Sequence, residues 1–157
     1  AELVARAATS MATLNMAAAR AVRTTGGAHA CTDITGFGLL GQASEMAVAS
    51  GVTLALDAGR IPQIAGVLAL VSRHRSGGMS SNRHHFGAAV RFGAAGTRDA
   101  QDLLFDPQTS GGLLVAVDTD HQAALQTALS LAGVTAAVIG QVTGPGVHGP
   151  GVLISVD

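Results

Sequence analysis

The distribution of glycine is the sequence feature that most constrains the fold. The chain has 157 residues, of which 21 are glycine, and the glycines stand in short groups between segments of periodic hydrophobicity. Glycines placed in this way mark tight turns and points where the backbone approaches another group closely. The sequence therefore predicts short helices and strands separated by tight turns, and no flexible linker.

The segments between the glycines predict helices and strands in irregular alternation. Apolar residues at three- and four-residue spacing predict helices at 2–23, 37–49, 61–72, 86–92 and 118–133. Alternating or short apolar runs predict strands at 52–57, 113–117, 136–142 and 152–156, and an extended piece at the start of 28–38. The last two strands are expected to pair as a hairpin. Polar residues inside the first helix predict either a kink or a second contact surface, and residues 73–85 are expected to form a polar loop.

This order of elements predicts an α+β fold, in which helices pack on one face of a mostly antiparallel or mixed sheet. Hydrophobic residues make up 48% of the chain and charged residues 12%, so disorder is not expected. The length suits one domain with its own core, and we expect residues 1–157 to form that single domain.

Charge and composition exclude several classes of function. The formal net charge is -1, and the chain has neither Trp nor Tyr for stacking on bases, so nucleic-acid binding is not expected. No apolar run approaches the roughly 20 residues of a membrane helix, so no membrane association is expected. The single cysteine, Cys31, excludes an internal disulfide and suits a reducing compartment. A cytoplasmic protein is therefore predicted.

Asp33 is the first candidate functional residue, because it precedes a glycine turn that opens a predicted helix. Mg²⁺ prefers oxygen ligands, usually one or two carboxylates together with phosphates and water. Gly36 and Gly38 allow the backbone to approach a ligand, and a helix N-terminus favours anions. The alternative is that Asp33 caps the helix, and the spacing alone favours that alternative.

Two further segments are candidates for ligand contacts. Residues 105–113, FDPQTSGGL, carry strong turn signals, and successive amides around the glycines suit an anion. A tight loop that leads into a buried strand is the favoured alternative. In the segment 77–85, Arg83 and two adjacent histidines suit a phosphate or a metal, although a solvated loop is again favoured.

Cys31 is the last candidate, as a nucleophile. In an extended segment His29, Cys31 and Asp33 point to the same side, which brings a base near the thiol. A free cysteine is more commonly a small buried residue, and a structural role for Cys31 is favoured.

Two long motifs resemble the C-terminal domain of selenophosphate synthetases, also called selenide, water dikinases. The motifs are ACTDITGFGLLG at 30–41 and LLFDPQTSGGLLVAV at 103–117. Shorter matches lie around Asn15, in the segment 77–82 and at 137–142. The resemblance covers nearly the whole chain in order, and it places the chain in the aminoimidazole ribonucleotide synthetase-like superfamily.

The resemblance implies a reaction in which ATP, selenide and water give selenophosphate, AMP and phosphate. Asp33 matches the family aspartate that helps to hold Mg²⁺ at the nucleotide phosphates. The flanking residues Thr32, Thr35, Gly36 and Gly38 are implied to line the phosphate side of the cleft. Gln42 departs from the family, in which many members have His at this position.

The resemblance also implies that the reactive residues and most ATP contacts lie in an N-terminal domain that this chain lacks. ATP and selenide would then reach the site through that domain, no catalytic residue is expected in the chain itself, and Cys31 is not the family's reactive residue. The full-length protein is expected to be a homodimer. Two alternatives remain open: another ATP-dependent kinase or synthetase of the superfamily, or a non-catalytic binding or assembly module.

Overall fold

A computed structural model describes residues 2–93, 96–146, 151 and 153–157. The helices are α1 (Glu2–Ala12), α2 (Met16–Thr25), α3 (Gly38–Ser50), α4 (Leu68–Val71), α5 (Gly77–Phe86), α6 (Arg98–Leu103) and α7 (Thr119–Leu131). The strands are β1 (Ala28–Asp33), β2 (Val52–Leu56), β3 (Val90–Phe92), β4 (Leu113–Val117), β5 (Gly140–Pro145) and β6 (Ile154–Val156). No helix in these ranges is long and apolar enough to cross a membrane.

The strands form two separate sheets. β1 and β4 make an antiparallel pair, in which Asp33 lies opposite Leu113. The larger sheet has the order β3-β6-β2-β5, with β5 antiparallel to β2 and β6 parallel to both of its neighbours. The α+β class with a mixed sheet is therefore confirmed.

The main core lies between α3 and the larger sheet. Leu40 and Ala43 of α3 and Ile154 of β6 are fully buried, and Phe105 joins them from the loop after α6. A second, smaller cluster packs α2 against α7 beside the β1–β4 pair, through Ala21, Val22, Leu125 and Leu129. Phe105 therefore fixes the loop that follows it, because its ring belongs to the main core.

The segment predicted as one helix, 2–23, forms two helices instead. The break falls at residues 13–15, where the Asn15 side chain donates a hydrogen bond from Nδ2 to the carbonyl of Gly111 at 3.0 Å. The polar residues thus mark both a break and a contact surface. The helix 37–49 and the strand 52–57 are confirmed to within one residue at each end.

The prediction of a loop at 73–85 was wrong, because most of this segment is helix α5. The Ser76 side chain caps it by accepting a hydrogen bond from the amide of Met79 at 3.0 Å. Met79, Asn82 and Phe86 form its buried stripe. The buried polar Asn82 in the middle of the stripe concealed the helical period from sequence analysis.

Other predicted elements also differ. The helix 61–72 shrinks to α4, after Pro62 and a glycine with positive φ, Gly66. The helix 86–92 is a 3₁₀ turn (Gly87–Ala89) followed by β3, and α6 was not predicted. In α7, Leu129 is buried whereas Leu131, inside the predicted helix 118–133, is 85% exposed.

The predicted terminal hairpin was also wrong. β6 lies between β3 and β2, and β5 pairs with the other edge of β2. Ile154 and Val156 are almost completely buried, at 0% and 2% exposure, which suits a central strand of a sheet. Of the predicted strand 152–156, Val152 lies outside the described residues.

Candidate functional site

The two glycine-rich motifs, at 30–41 and 103–117, are brought together by backbone hydrogen bonds. Ile34 and the 106–112 loop form two of them, from the amide of Ile34 to Gly112 O at 2.9 Å and from the amide of Gly111 to Ile34 O at 3.0 Å. The amide of Gln108 donates to Thr35 O at 3.0 Å. Sequence analysis treated the motifs as separate candidates, whereas in the structure they form one paired surface.

Gly38 sets how closely the two motifs approach. Its φ is +68°, and a Cβ at this position would lie 2.7 Å from the carbonyl carbon of Phe105. Close to this contact, the backbone amide of Leu40 donates a hydrogen bond to the carbonyl oxygen of Leu104 at 3.0 Å. Gly38 is buried, so its requirement for glycine is explained by packing against the Phe105 backbone.

Asn82 ties a third element to this surface. Its side-chain Nδ2 donates to Gly36 O and to Phe105 O, both at 2.9 Å, so one amide group joins the two motifs to α5. Asn15 makes the corresponding bond to Gly111 from the break between α1 and α2. The partners of Asn15 and Asn82 could not be predicted from the sequence, because these three bonds join residues far apart in the chain. The one feature of the sequence that pointed to Asn15 and Asn82 was that both lie in the shorter segments that resemble the family.

Asp33 is the last residue of β1, and its side chain is exposed. It does not cap α3, whose N-cap residue is Phe37 with no side-chain cap hydrogen bond. The alternative that the spacing favoured, a helix cap, is therefore wrong. Within the described residues no hydrogen bond or salt bridge involves the Asp33 carboxylate, which leaves it available to a ligand.

The polar neighbours of Asp33 are organised by Gln42. The hydroxyl of Thr32 donates to Gln42 Oε1 at 3.4 Å, and Gln42 Nε2 donates to Thr35 Oγ1 at 3.2 Å. Gly36 is exposed, and a Cβ there would meet no atom within 4 Å. Gln42 thus holds the two threonines of the turn, and open space remains above Gly36.

Cys31 was expected to be buried, but its side chain is exposed on β1. Partial burial of the sulfur and, to a smaller extent, the charge of Asp33 raise the pKa of the Cys31 thiol. His29, Cys31 and Asp33 do share the exposed side of β1. His29 instead bonds Asp118 at 2.5 Å, which lowers the pKa of that carboxyl. No base in the described residues therefore activates Cys31.

The other titratable residue of the paired surface is Asp106. Burial raises the pKa of its carboxyl, and hydrogen bonds from Gln108 and Ser76 act in the opposite direction. Within the described ranges no group of three or more His, Cys, Asp or Glu residues is arranged to hold a metal ion. Within the same residues Asp33 is an exposed carboxylate with no protein partner, an oxygen donor of the kind that Mg²⁺ accepts, and the donors beside it do not complete a set of metal ligands.

The fold and the paired loops define a class, an α+β domain whose glycine-rich motifs form a single surface with a free carboxylate beside it. The chain belongs to the family described as AIR synthase related protein, C-terminal domain, which matches residues 2–152.

Its similar proteins include selenide, water dikinases from several bacteria. The chain is 47% identical to that of Pelobacter propionicus over 116 residues, which are 73% of the chain and 33% of the relative. It is 40% identical to that of Agathobacter rectalis over 136 residues, 86% of the chain and 39% of the relative. It is 41% identical to that of Nitratidesulfovibrio vulgaris over 133 residues, which are 84% of the chain and 38% of the relative. The chain thus spans between a third and two fifths of the length of these relatives.

Proposed function

We propose that the chain is the C-terminal domain of a selenide, water dikinase, an enzyme that makes selenophosphate, AMP and phosphate from ATP, selenide and water. The observation that carries this proposal is the pairing of CTDITGFG with DPQTSGG, which leaves the Asp33 carboxylate free at the edge of the joined surface. The identity of 40–47% to relatives of that name supports it over another kinase or synthetase of the superfamily.

In this proposal Asp33 is one ligand of Mg²⁺ at the phosphates of ATP. The ion, when bound, neutralises and orients phosphate charge during phosphoryl transfer. Mg²⁺ keeps several ligands from water and substrate, so one protein carboxylate is a reasonable contribution from this domain. The remaining ligands, the ATP contacts and the selenide site belong to an N-terminal domain of the full-length protein.

Thr32, Thr35 and Gly36 would lie on the phosphate side of Asp33. The Gln42 bridge fixes the two hydroxyls relative to each other, and the exposed Gly36 backbone leaves room for a phosphate oxygen. Gln42 supplies both a donor and an acceptor here, so a glutamine performs the bridging task at a position where the family commonly has His. Gly38 would support this side of the cleft through its packing.

The test is a hybrid enzyme in which this chain replaces the C-terminal part of the Pelobacter propionicus relative. We expect the hybrid to form selenophosphate from ATP and selenide, measured by ³¹P NMR. Asp33→Ala in the hybrid should reduce the rate by at least about a hundredfold, because preorganised charge stabilisation of this kind contributes about 3–4 kcal/mol.

Asp120→Ala is the matched control, since Asp120 is an exposed aspartate in the first turn of α7, outside the paired surface. It should leave the rate unchanged. Parental activity in the Asp33→Ala hybrid would refute the role of Asp33 as a metal ligand. A folded hybrid that binds ATP but forms no selenophosphate would refute the proposed function.

We also propose that the full-length enzyme is a homodimer. The first 16 residues expose several large apolar side chains, namely Val4, Met11, Leu14 and Met16, at 45–75% exposure. Exposed apolar surface of this kind favours association with another domain or subunit. The mass of the hybrid in light scattering gives its oligomeric state, and a monomer would contradict this part of the proposal.

A further inference from the structure

A basic pocket lies between α5 and α6, on a different set of side chains from the paired glycine motifs. Its volume is about 450 Å³, and its charged walls are Arg75, Arg83, Arg98, His84 and Asp102. This volume lies within the range of pockets that hold small molecules.

Asp102 organises the arginines. Its side chain is only 5% exposed, and it accepts hydrogen bonds from Arg75 Nε at 2.8 Å, Arg83 Nη1 at 2.7 Å and Arg98 Nε at 2.9 Å. The Asp99 carboxylate accepts a further bond, from Arg75 Nη2 at 2.5 Å. Three guanidinium groups therefore face two carboxylates, and one positive charge is left over.

The excess charge belongs to Arg98. Arg83 uses its second terminal nitrogen on Gln101 Oε1, at 3.0 Å, and stacks over the ring of Phe105. Arg75 is shared between both aspartates. Arg98 bonds only through Nε, so within the described residues its two terminal nitrogens have no partner, and 65% of its side chain is exposed.

A purely structural ion-pair network explains Arg75 and Arg83, which bury Asp102 and neutralise the two carboxylates. It does not require Arg98, whose side chain is 65% exposed and donates to Asp102 through Nε alone. Two free N–H groups on one guanidinium form the planar fork that matches two oxygens of a phosphate group. The Ser80 side chain and His84 line the same pocket and add further polar groups to it.

We propose that this pocket binds a small anion that carries a phosphate group, held by the terminal nitrogens of Arg98. The cavity is larger than inorganic phosphate requires, and the buried side chain of Met79 adds an apolar wall, so a phosphate monoester fits the space better than free phosphate. Anion binding here does not depend on any participation of the chain in ATP chemistry.

The test is calorimetric titration of the 157-residue chain, in a phosphate-free and Mg²⁺-free buffer, with inorganic phosphate in one arm and AMP in the other. We expect saturable binding of the phosphate group, with AMP binding more tightly than phosphate. Arg98→Gln should weaken binding by at least about tenfold, because a hydrogen bond between charged groups contributes about 1.5–3 kcal/mol.

His84→Glu is a second variant that leaves every Asp102 ion pair intact while placing a negative charge on the pocket wall. It should also weaken binding by at least about tenfold, through like-charge repulsion. Arg20→Gln, which changes an exposed helical arginine of α2 outside the pocket, should leave the affinity unchanged. Absence of binding in both arms, or equal affinity in all three variants and the parent, would overturn the proposal.

Discussion

Asp33 differs from Asp118, the aspartate at the opposite end of the β1–β4 pair, in what surrounds its carboxylate. The two threonine hydroxyls of its turn are engaged with Gln42, and its neighbour Cys31 has a raised thiol pKa, so no nearby group competes for the carboxylate. The Asp118 carboxylate is instead bonded by His29. Availability for a cation therefore separates Asp33 from Asp118, although both are exposed aspartates.

Gly38 and Gly36 form a matched pair for testing how tightly the two motifs are joined. Gly38→Ala should lower the free energy of unfolding by about 2–5 kcal/mol, since it combines a positive φ with a close approach to the Phe105 backbone. Gly36→Ala should change it by no more than about 1 kcal/mol in either direction, because space around Gly36 is open. Urea unfolding of both variants is the measurement, and equal effects would contradict the pairing described above.

The reactivity of Cys31 reports the charge of Asp33. Because the thiol pKa is raised, the thiolate fraction at neutral pH is small, and we expect iodoacetamide to alkylate Cys31 more slowly than it does an unstructured cysteine peptide. Asp33→Asn should accelerate alkylation at neutral pH by lowering the thiol pKa, but only in part, since burial is the larger cause.

The chain has one cysteine, so total alkylation reports this thiol alone. The control is Asp120→Asn, which removes an exposed carboxylate of α7 and should leave the rate unchanged. A pH–rate midpoint below that of the peptide would show that the thiolate is stabilised, and it would revive Cys31 as a nucleophile.

At the scale of elements, α5 acts as a brace, that is, it holds the two paired motifs together through side-chain hydrogen bonds. Its contacts are unusual in that a single polar side chain, Asn82, supplies the link to both Gly36 and Phe105 from inside a buried stripe. The adjacent Arg83 links α5 to the same region, because it forms a salt bridge with Asp102 and its guanidinium lies over the ring of Phe105. The pocket between α5 and α6 and the paired motifs therefore share the loop that begins at Phe105.

Asn82→Ala should lower the free energy of unfolding by about 2–4 kcal/mol, because it leaves the buried carbonyl of Phe105 and the partly buried carbonyl of Gly36 without their donor. Ser81→Ala, an exposed change on the same helix, should stay within about 0.5 kcal/mol. Urea unfolding measures both values. A loss below about 0.5 kcal/mol in Asn82→Ala would mean that water satisfies the two carbonyls and that α5 is not the brace.

The elements that could be predicted from the sequence are those whose pattern is local. α3 and β2 have regular apolar spacing. Gly51 separates them, because α3 ends just before it and β2 begins just after it, so the bounds of both were predicted to within one residue. α5 was missed because Asn82 occupies a core position. The pairing of β6 was missed because the strand order depends on contacts far apart in sequence.

The same distinction applies to the site. Asp33 and its glycine turn were predicted as a candidate site from a short local motif, and the resemblance supplied their expected role. The joining of the two motifs, the Gln42 bridge and the arginines around Asp102 depend on tertiary contacts between elements. Only the i, i+4 spacing of Arg98 and Asp102 was visible in the sequence, and spacing alone does not reveal the other two arginines.

At the scale of the whole molecule, the proposed metal–phosphate site would be shared, because the described residues present a candidate ligand, Asp33, without surrounding it. Asp33 lies on an open surface, and the described residues hold no group of three or more His, Cys, Asp or Glu side chains that could bind a metal ion. The relatives are longer, since the matched residues are only 33% and 39% of their length, and we propose that their further sequence completes such a site. We therefore propose a division of labour in which a second domain supplies the remaining ligands.

That division predicts how Mg²⁺-ATP binding depends on the second domain. In an Arg98→Gln background, which removes the α5–α6 pocket as a competing anion site, we expect the 157-residue chain to bind Mg²⁺-ATP more weakly than about 1 mM, equivalent to about -4 kcal/mol. The hybrid with the upstream part of the Pelobacter propionicus relative, in the same background, should bind at least about a hundredfold more tightly. Asp33→Ala should weaken the binding of ATP by the hybrid only when Mg²⁺ is present. Tight, Asp33-dependent binding by the chain alone would mean that this domain holds its own nucleotide site.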